Sequence, residues 1–180
     1  RQNQANIPLP DRLETYNYLH RHAAGEIFSH EFLSDIDQEM PINLLRQVYM
    51  DVENASTLNR MLWLDWKKTL HDNDLVKVNR MCELAGVEVV YPLLDDELVE
   101  FSCRIPSDLK LNGQKLRWFY KEAVKGFLPD RIINKSKHGF GLPFGIWTSE
   151  HKGLQDLSYS SLESLKARNI FNHEFIDNTI

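Results

Sequence analysis

Lys115-Leu116-Arg117-Trp118-Phe119-Tyr120-Lys121-Glu122-Ala123-Val124-Lys125-Gly126-Phe127 carries the clearest structural signal in the chain. Leu116, Phe119, Tyr120, Ala123, Val124 and Phe127 recur at i, i+3, i+4, i+7, which predicts an amphipathic helix over 115–127 with those side chains buried. The same period extends outward in both directions. Pro41 suits the first turn of a helix, and Ile42, Leu45, Val48, Tyr49 and Val52 follow at helical spacing. Ser56 is an N-cap candidate ahead of Leu58, Met61, Leu62 and Trp66. Asp65 falls within that apolar stripe, so it is read as a buried carboxylate, paired structurally or poised for function. A new helix is expected from Asp72 or Asp74 through Leu75, Val78, Met81 and Cys82, ending at a left-handed Gly86.

Val87-Glu88-Val89-Val90-Tyr91 is the one β-branched run, read as an extended connector or a short strand stopped by Pro92. Asp95 or Asp96 caps the next helix, whose stripe is Leu94, Leu98, Phe101 and Ile105 and which Pro106 closes. Asn112-Gly113 marks a turn. Pro129 opens a short helix through Ile132 and Ile133, and weaker helices are expected over 11–24, 30–38, 160–168 and 172–180. The residues therefore predict a mainly α unit spanning 1–180 around one core.

Composition narrows the function classes. The chain has 180 residues and a net charge of -5, which argues against a protein that grips duplex DNA through a broad basic face. Its apolar runs are too short to span a bilayer, and no signal-peptide pattern opens it. No nucleic-acid or membrane partner is expected. Cys82 and Cys103 are isolated, which fits a reducing, cytoplasmic compartment, and no metal-ligand spacing is present. The start at Arg1 and the polar, proline-containing opening read as a piece of a longer polypeptide.

Chemistry concentrates in two places. Lys135-Ser136-Lys137-His138-Gly139-Phe140-Gly141-Leu142-Pro143-Phe144-Gly145-Ile146-Trp147 combines cations with flexible backbone, and no Asp or Glu lies between Arg131 and Ser149. Converging ammonium and backbone N–H groups suit a bound phosphate; the alternative is a solvated basic loop anchored by Phe140, Phe144 and Trp147. Upstream, Glu88 sits among Val87, Val89, Val90 and Tyr91, beyond a helix carrying Lys77, Asn79 and Arg80. Such a carboxylate is either salt-bridged to a helix lysine or part of a site.

Lys77-x-Asn79-Arg80, followed by Gly86-Val87-Glu88-x-x-x-Pro92-x-Leu94-Asp95-x-x-Leu98-Val99-Glu100-Phe101, resembles the synthetase domain of glutamine-dependent asparagine synthetases. Ile105-Pro106, Lys110, Lys115, Leu128-Pro129, Ile132 and Lys135-x-Lys137-x-Gly139-Phe140-x-x-Pro143-x-x-x-Trp147 continue the resemblance over about 60–150, and Asp65 and Asp74 stand where the family tends to carry acids. The resemblance implies the helical C-terminal part of an adenine-nucleotide α-hydrolase-like (pyrophosphatase-ATPase) α/β synthetase domain, whose core strands are not in this chain. It implies ATP and Mg2+ as cofactors of the parent enzyme, with none bound by the fragment alone. The implied reaction is carboxylate activation as an acyl-adenylate, attacked by ammonia from a glutaminase domain. The implied partners are the upstream nucleotide-binding core, that glutaminase domain in the same or another chain, and a small-molecule substrate.

By the same resemblance Lys137 stabilises charge on the α-phosphate and the leaving pyrophosphate, and Glu88 helps orient a catalytic base. Lys135, His138, Gly139, Asn79 and Arg80 are the ATP and pyrophosphate candidates. The departures are specific. Val90 stands where the family has Arg, Leu93 where it has Phe, and Lys135 where it often has Arg. Neither the Ser-Gly-Gly-x-Asp-Ser pyrophosphate loop nor a second Gly-rich acidic motif is found, so the 180 residues alone are expected to be inactive. Two rivals stand beside asparagine synthesis. One is a related adenylating synthetase, such as a β-lactam-forming enzyme or one with a peptide or sugar acceptor. The other is a non-catalytic helical module that binds a partner.

Overall fold

The computed structural model describes residues 5–17, 19–136 and 141–179. These are mainly helical; no extended strand occurs among them, only isolated bridges at Phe28–Phe171, Asn112–Lys115 and Lys125–Leu128. The sequence reading has one helical unit over 1–180; the coordinates group into two compact units, Val48–His138 and Arg1–Gln47 with Gly139–Ile180.

Val48–His138 holds the candidate site. Its longest feature begins at Ser56, whose side chain accepts from the Asn59 N–H and caps Thr57–Leu64 as expected. The chain then does not stop and restart near Asp72. Asp65–Leu75 forms a π-helix that leads directly into the α-helix Val76–Ala85. The i→i+5 register is wider than a 3.6-residue turn, and already ahead of it the covered side is that of Leu64 and not the expected stripe through Leu62 and Asp65. Asp65 is exposed and accepts from Thr69 Oγ1 at 3.3 Å, which corrects the reading of a buried carboxylate.

Gly86 closes the helix in the left-handed conformation (φ 65°, ψ 28°), with its N–H and that of Val87 returning to Glu83 and Cys82. Residues 87–91 are an extended connector and not a strand. Asp95 then caps Asp96–Arg104 by accepting from the Glu97 and Leu98 N–H groups, and the chain turns extended at Ile105 ahead of Pro106.

The helix expected over 115–127 is much shorter. Only Trp118–Ala123 is helical, preceded by Arg117 in the left-handed region and followed by Gly126 at φ 78°. Leu116, Tyr120 and Phe127 are 61%, 51% and 84% exposed, and Ala123 is exposed too, so the predicted buried stripe does not form among these residues. Turns at both ends break the period before a continuous face can be covered. The short helix after Pro129 is present as Asp130–Ile133, and its Ile133 is buried.

The other unit joins the chain's two ends. Ser29 donates its N–H to the Ile170 carbonyl at 2.8 Å and its hydroxyl to Asn169 O at 2.7 Å, while Asn172 N–H donates to Ile27 O at 2.8 Å. Ile27 and Ile176 are buried there. Arg46 reaches Asp11 through two hydrogen bonds of 3.0 and 2.6 Å. The segment read as loop around Phe144 and Trp147 is the helix Phe144–Glu150, and the weak helix expected over 160–168 is the longer Lys152–Lys166. No helix among the described residues is long and apolar enough to cross a membrane.

Candidate functional site

Asn79 and Arg80 lie midway along Val76–Ala85, and Glu88 follows on the connector. All three are exposed. Asn79 accepts a 2.8 Å hydrogen bond from the Tyr91 hydroxyl, which folds the connector back along the helix. The expected bridge between Glu88 and a helix lysine does not form. Lys77 pairs with Asp74 at 3.0 Å and Arg80 pairs with Glu83, each with a neighbour on its own helix surface. That local i,i+3 geometry wins because Glu88 lies beyond the left-handed turn. Among the described residues Glu88 has no ion-pair or hydrogen-bond partner.

Lys135 has a different setting. The Pro129-initiated helix and its buried Ile133 fix the chain, and the Lys135 N–H donates to Ile132 O at 3.3 Å. Lys135 lines a depression of about 510 Å³ together with Lys115, Arg117, Lys121 and Lys125. A neighbouring cavity of about 360 Å³ shares Lys135, Arg117 and Lys121. The one carboxylate lining the depression is Glu122, and Lys125 takes it at 2.6 Å. Lys115, Arg117, Lys121 and Lys135 therefore have no carboxylate partner among the described residues.

The local fold explains this gathering. The Asn112–Lys115 bridge closes a turn over Gly113 at φ 59°, which sets Lys115. Arg117 then adopts φ 57°, ψ 33°, and its carbonyl accepts from the Lys121 N–H at 3.0 Å. A left-handed backbone at a residue with a Cβ costs roughly 1–2 kcal/mol. Like charges four apart also repel. Both costs fall in one place, and a bound anion would offset the second.

The structure thus brings Lys135 to cations that the sequence reading did not single out, Arg117 and Lys121; Lys115 entered it only through resemblance. A signal was there: 117, 121 and 125 recur at four-residue intervals. Asn79, Arg80 and Glu88 line neither of these cavities. Lys137, His138 and Gly139 lie outside the described residues. No group of three or more His, Cys, Asp or Glu side chains gathers as a metal site among the described residues.

The family profile described as asparagine synthase matches residues 2–180. The chain belongs to the asparagine synthase family. It is similar to asparagine synthetase [glutamine-hydrolyzing] 1 of Bacillus subtilis, 23% identical over 105 residues, covering 58% of this chain and 17% of that protein. It is 34% identical over 65 residues to asparagine synthetase [glutamine-hydrolyzing] 3 of the same organism, covering 36% and 11%. A putative asparagine synthetase [glutamine-hydrolyzing] of Mycobacterium bovis is 23% identical over 120 residues, covering 67% and 18%. The chain thus spans less than a fifth of the length of these relatives. No solved structure matches it.

Proposed function

We propose that the protein carrying this chain is an ATP-dependent carbon–nitrogen ligase of the asparagine synthetase kind, and that this chain supplies cations to the triphosphate. The observation that carries the reading is the set Lys115, Arg117, Lys121 and Lys135 around one depression without a carboxylate partner. Family membership gives the chemical context.

In the proposed reaction a substrate carboxylate oxygen attacks the α-phosphorus of ATP. The bond to the bridging oxygen breaks, and pyrophosphate leaves with the electron pair. Ammonia then attacks the acyl carbon, AMP leaves, and a base takes the proton. Negative charge grows on the α-phosphate and pyrophosphate in the first step, so ammonium and guanidinium groups held there stabilise the transition state more than the ground state. Lys137 takes that role, with Lys135, His138, Gly139, Asn79 and Arg80 contributing to the nucleotide, and Glu88 orients the base. Mg2+ would be held by phosphate oxygens and by groups beyond the described residues.

The nucleotide-binding core and a glutaminase domain are the partners in this reading, in a cytoplasmic setting. In this reading the 180 residues alone are inactive, because they contain no Ser-Gly-Gly-x-Asp-Ser pyrophosphate loop. The carboxylate substrate is aspartate or a related acid, with Val90 in place of arginine favouring the latter.

The test is ATP–pyrophosphate exchange in the full-length protein. Lys137→Ala should lower exchange ~10²–10³-fold, while Arg117→Ala and Lys135→Ala raise the ATP requirement. Undiminished exchange in all three would remove the reading.

A further inference from the structure

The same unit holds a second, chemically different cavity of about 530 Å³. Trp63, Trp66, Phe119 and Tyr120 supply aromatic walls, and Leu62 and Ile105 add aliphatic ones. That volume lies within the ~300–1,000 Å³ of small-molecule sites, which pair an apolar lining with a few placed polar groups.

Its polar lining is one-sided. Lys110 and Arg117 reach the cavity, and no Asp or Glu does. Lys110 Nζ donates to Asn59 Oδ1 at 3.0 Å, which fixes the ammonium at the wall and uses one of its three donors. Trp63 Nε1 is buried and has no acceptor among the described residues. Being closed off from solvent, that donor takes no part in ligand binding here, and the charged donors facing the cavity are Lys110 and Arg117. Lys67 Nζ stands 4.7 Å from the centre of the Trp63 ring and adds positive potential.

An apolar body, donors and cations, and no carboxylate together fit one ligand class. We propose that this cavity binds an apolar carboxylic acid, arylalkyl or medium-chain aliphatic, whose carboxylate accepts from Lys110 and Arg117. A zwitterionic amino acid such as aspartate is disfavoured, because its ammonium would meet Lys110 and Arg117 with no carboxylate of the lining to pair it. Arg117 and Tyr120 also line the cationic cavity beside Lys135, so the two sites share a wall. Assignment of the ligand as the acyl substrate rests on the function proposed above; its binding does not.

The test is tryptophan fluorescence of the full-length protein titrated with 4-phenylbutyrate, its primary amide, and aspartate. The acid should quench saturably, the amide should bind at least tenfold more weakly, and aspartate should not displace the acid. Lys110→Met should weaken the acid about tenfold and leave the amide unchanged. Ala55→Phe, which adds bulk to the lining, should abolish both responses in a protein with an unaltered circular dichroism spectrum. Equal binding of acid and amide, no saturable response, or full affinity in both variants would overturn the proposal. Calorimetry with MgATP on the same samples separates the readings: lost nucleotide binding with retained acid binding would sink the ligase reading alone.

Discussion

The Tyr91 hydroxyl donates to the Asn79 side-chain oxygen at 2.8 Å and ties the connector 87–91 to the helix Val76–Ala85. Glu88 sits inside the loop that this bond closes, between left-handed Gly86 and Pro92. A carboxylate with no ionic partner among the described residues is thus held by backbone geometry on either side of it.

Tyr91→Phe removes the bond and keeps the ring. The expected loss is about 0.5–1 kcal/mol of stability, since a net hydrogen bond contributes on that order. If the connector positions Glu88 for catalysis, kcat should fall with little change in KM for ATP. Denaturant titration and steady-state kinetics read the two effects separately.

Glu88→Gln keeps the shape and removes the charge. With no ion pair to lose among the described residues, stability should stay within about 0.5 kcal/mol of the parent, while turnover drops. Unchanged turnover would return Glu88 to a solvated surface role.

Arg117→Gly should act with opposite signs on fold and function. Glycine adopts φ 57° without the Cβ penalty, so stability should rise by roughly 1 kcal/mol. Loss of the guanidinium should weaken ATP binding. Thermal denaturation with and without nucleotide shows both; a destabilised variant would contradict the strain argument.

Lys137→Ala should lower kcat more than it raises KM for ATP, because the contact strengthens as charge develops. Lys137→Arg should rescue poorly, since a planar fork directs its charge differently from a compact ammonium. Lys135→Ala should show mainly as weaker ATP affinity. Equal, small effects at both positions would make the segment a solvated basic loop.

Asp11 titrates below its ordinary carboxylate value, chiefly through its hydrogen bonds with Arg46, against a smaller opposing effect of burial. A depressed folded pKa gives stability that is present above the unfolded value of 3.8 and lost as pH falls through the folded one. Asp11→Asn should therefore flatten the acid limb of the stability curve below about pH 4 and leave that limb's upper end lower. An acid limb identical to that of the parent would show that the pair contributes nothing.

Local rules carried a good part of this protein. Ser56, Asp95, Gly86 and Pro129 act where the sequence places them, because capping and left-handed turns depend on a few neighbouring residues. The motif order through Glu88 and Lys135 carried the family, because linear spacing survives even at 23% identity. Tertiary structure decided what depends on distant partners. Leu116 and Phe127 have a helical period but no surface to cover them, so their stripe stays exposed. Asp65 shares an exposed face with Leu62, while Leu64 is the residue that is covered. The meeting of Lys135 with Arg117 and Lys121 needed the Gly113 and Arg117 turns to bring separate segments together. Long-range encounters of this kind are not encoded in any short window, because each segment's periodicity fixes its own face and not the neighbour it will meet.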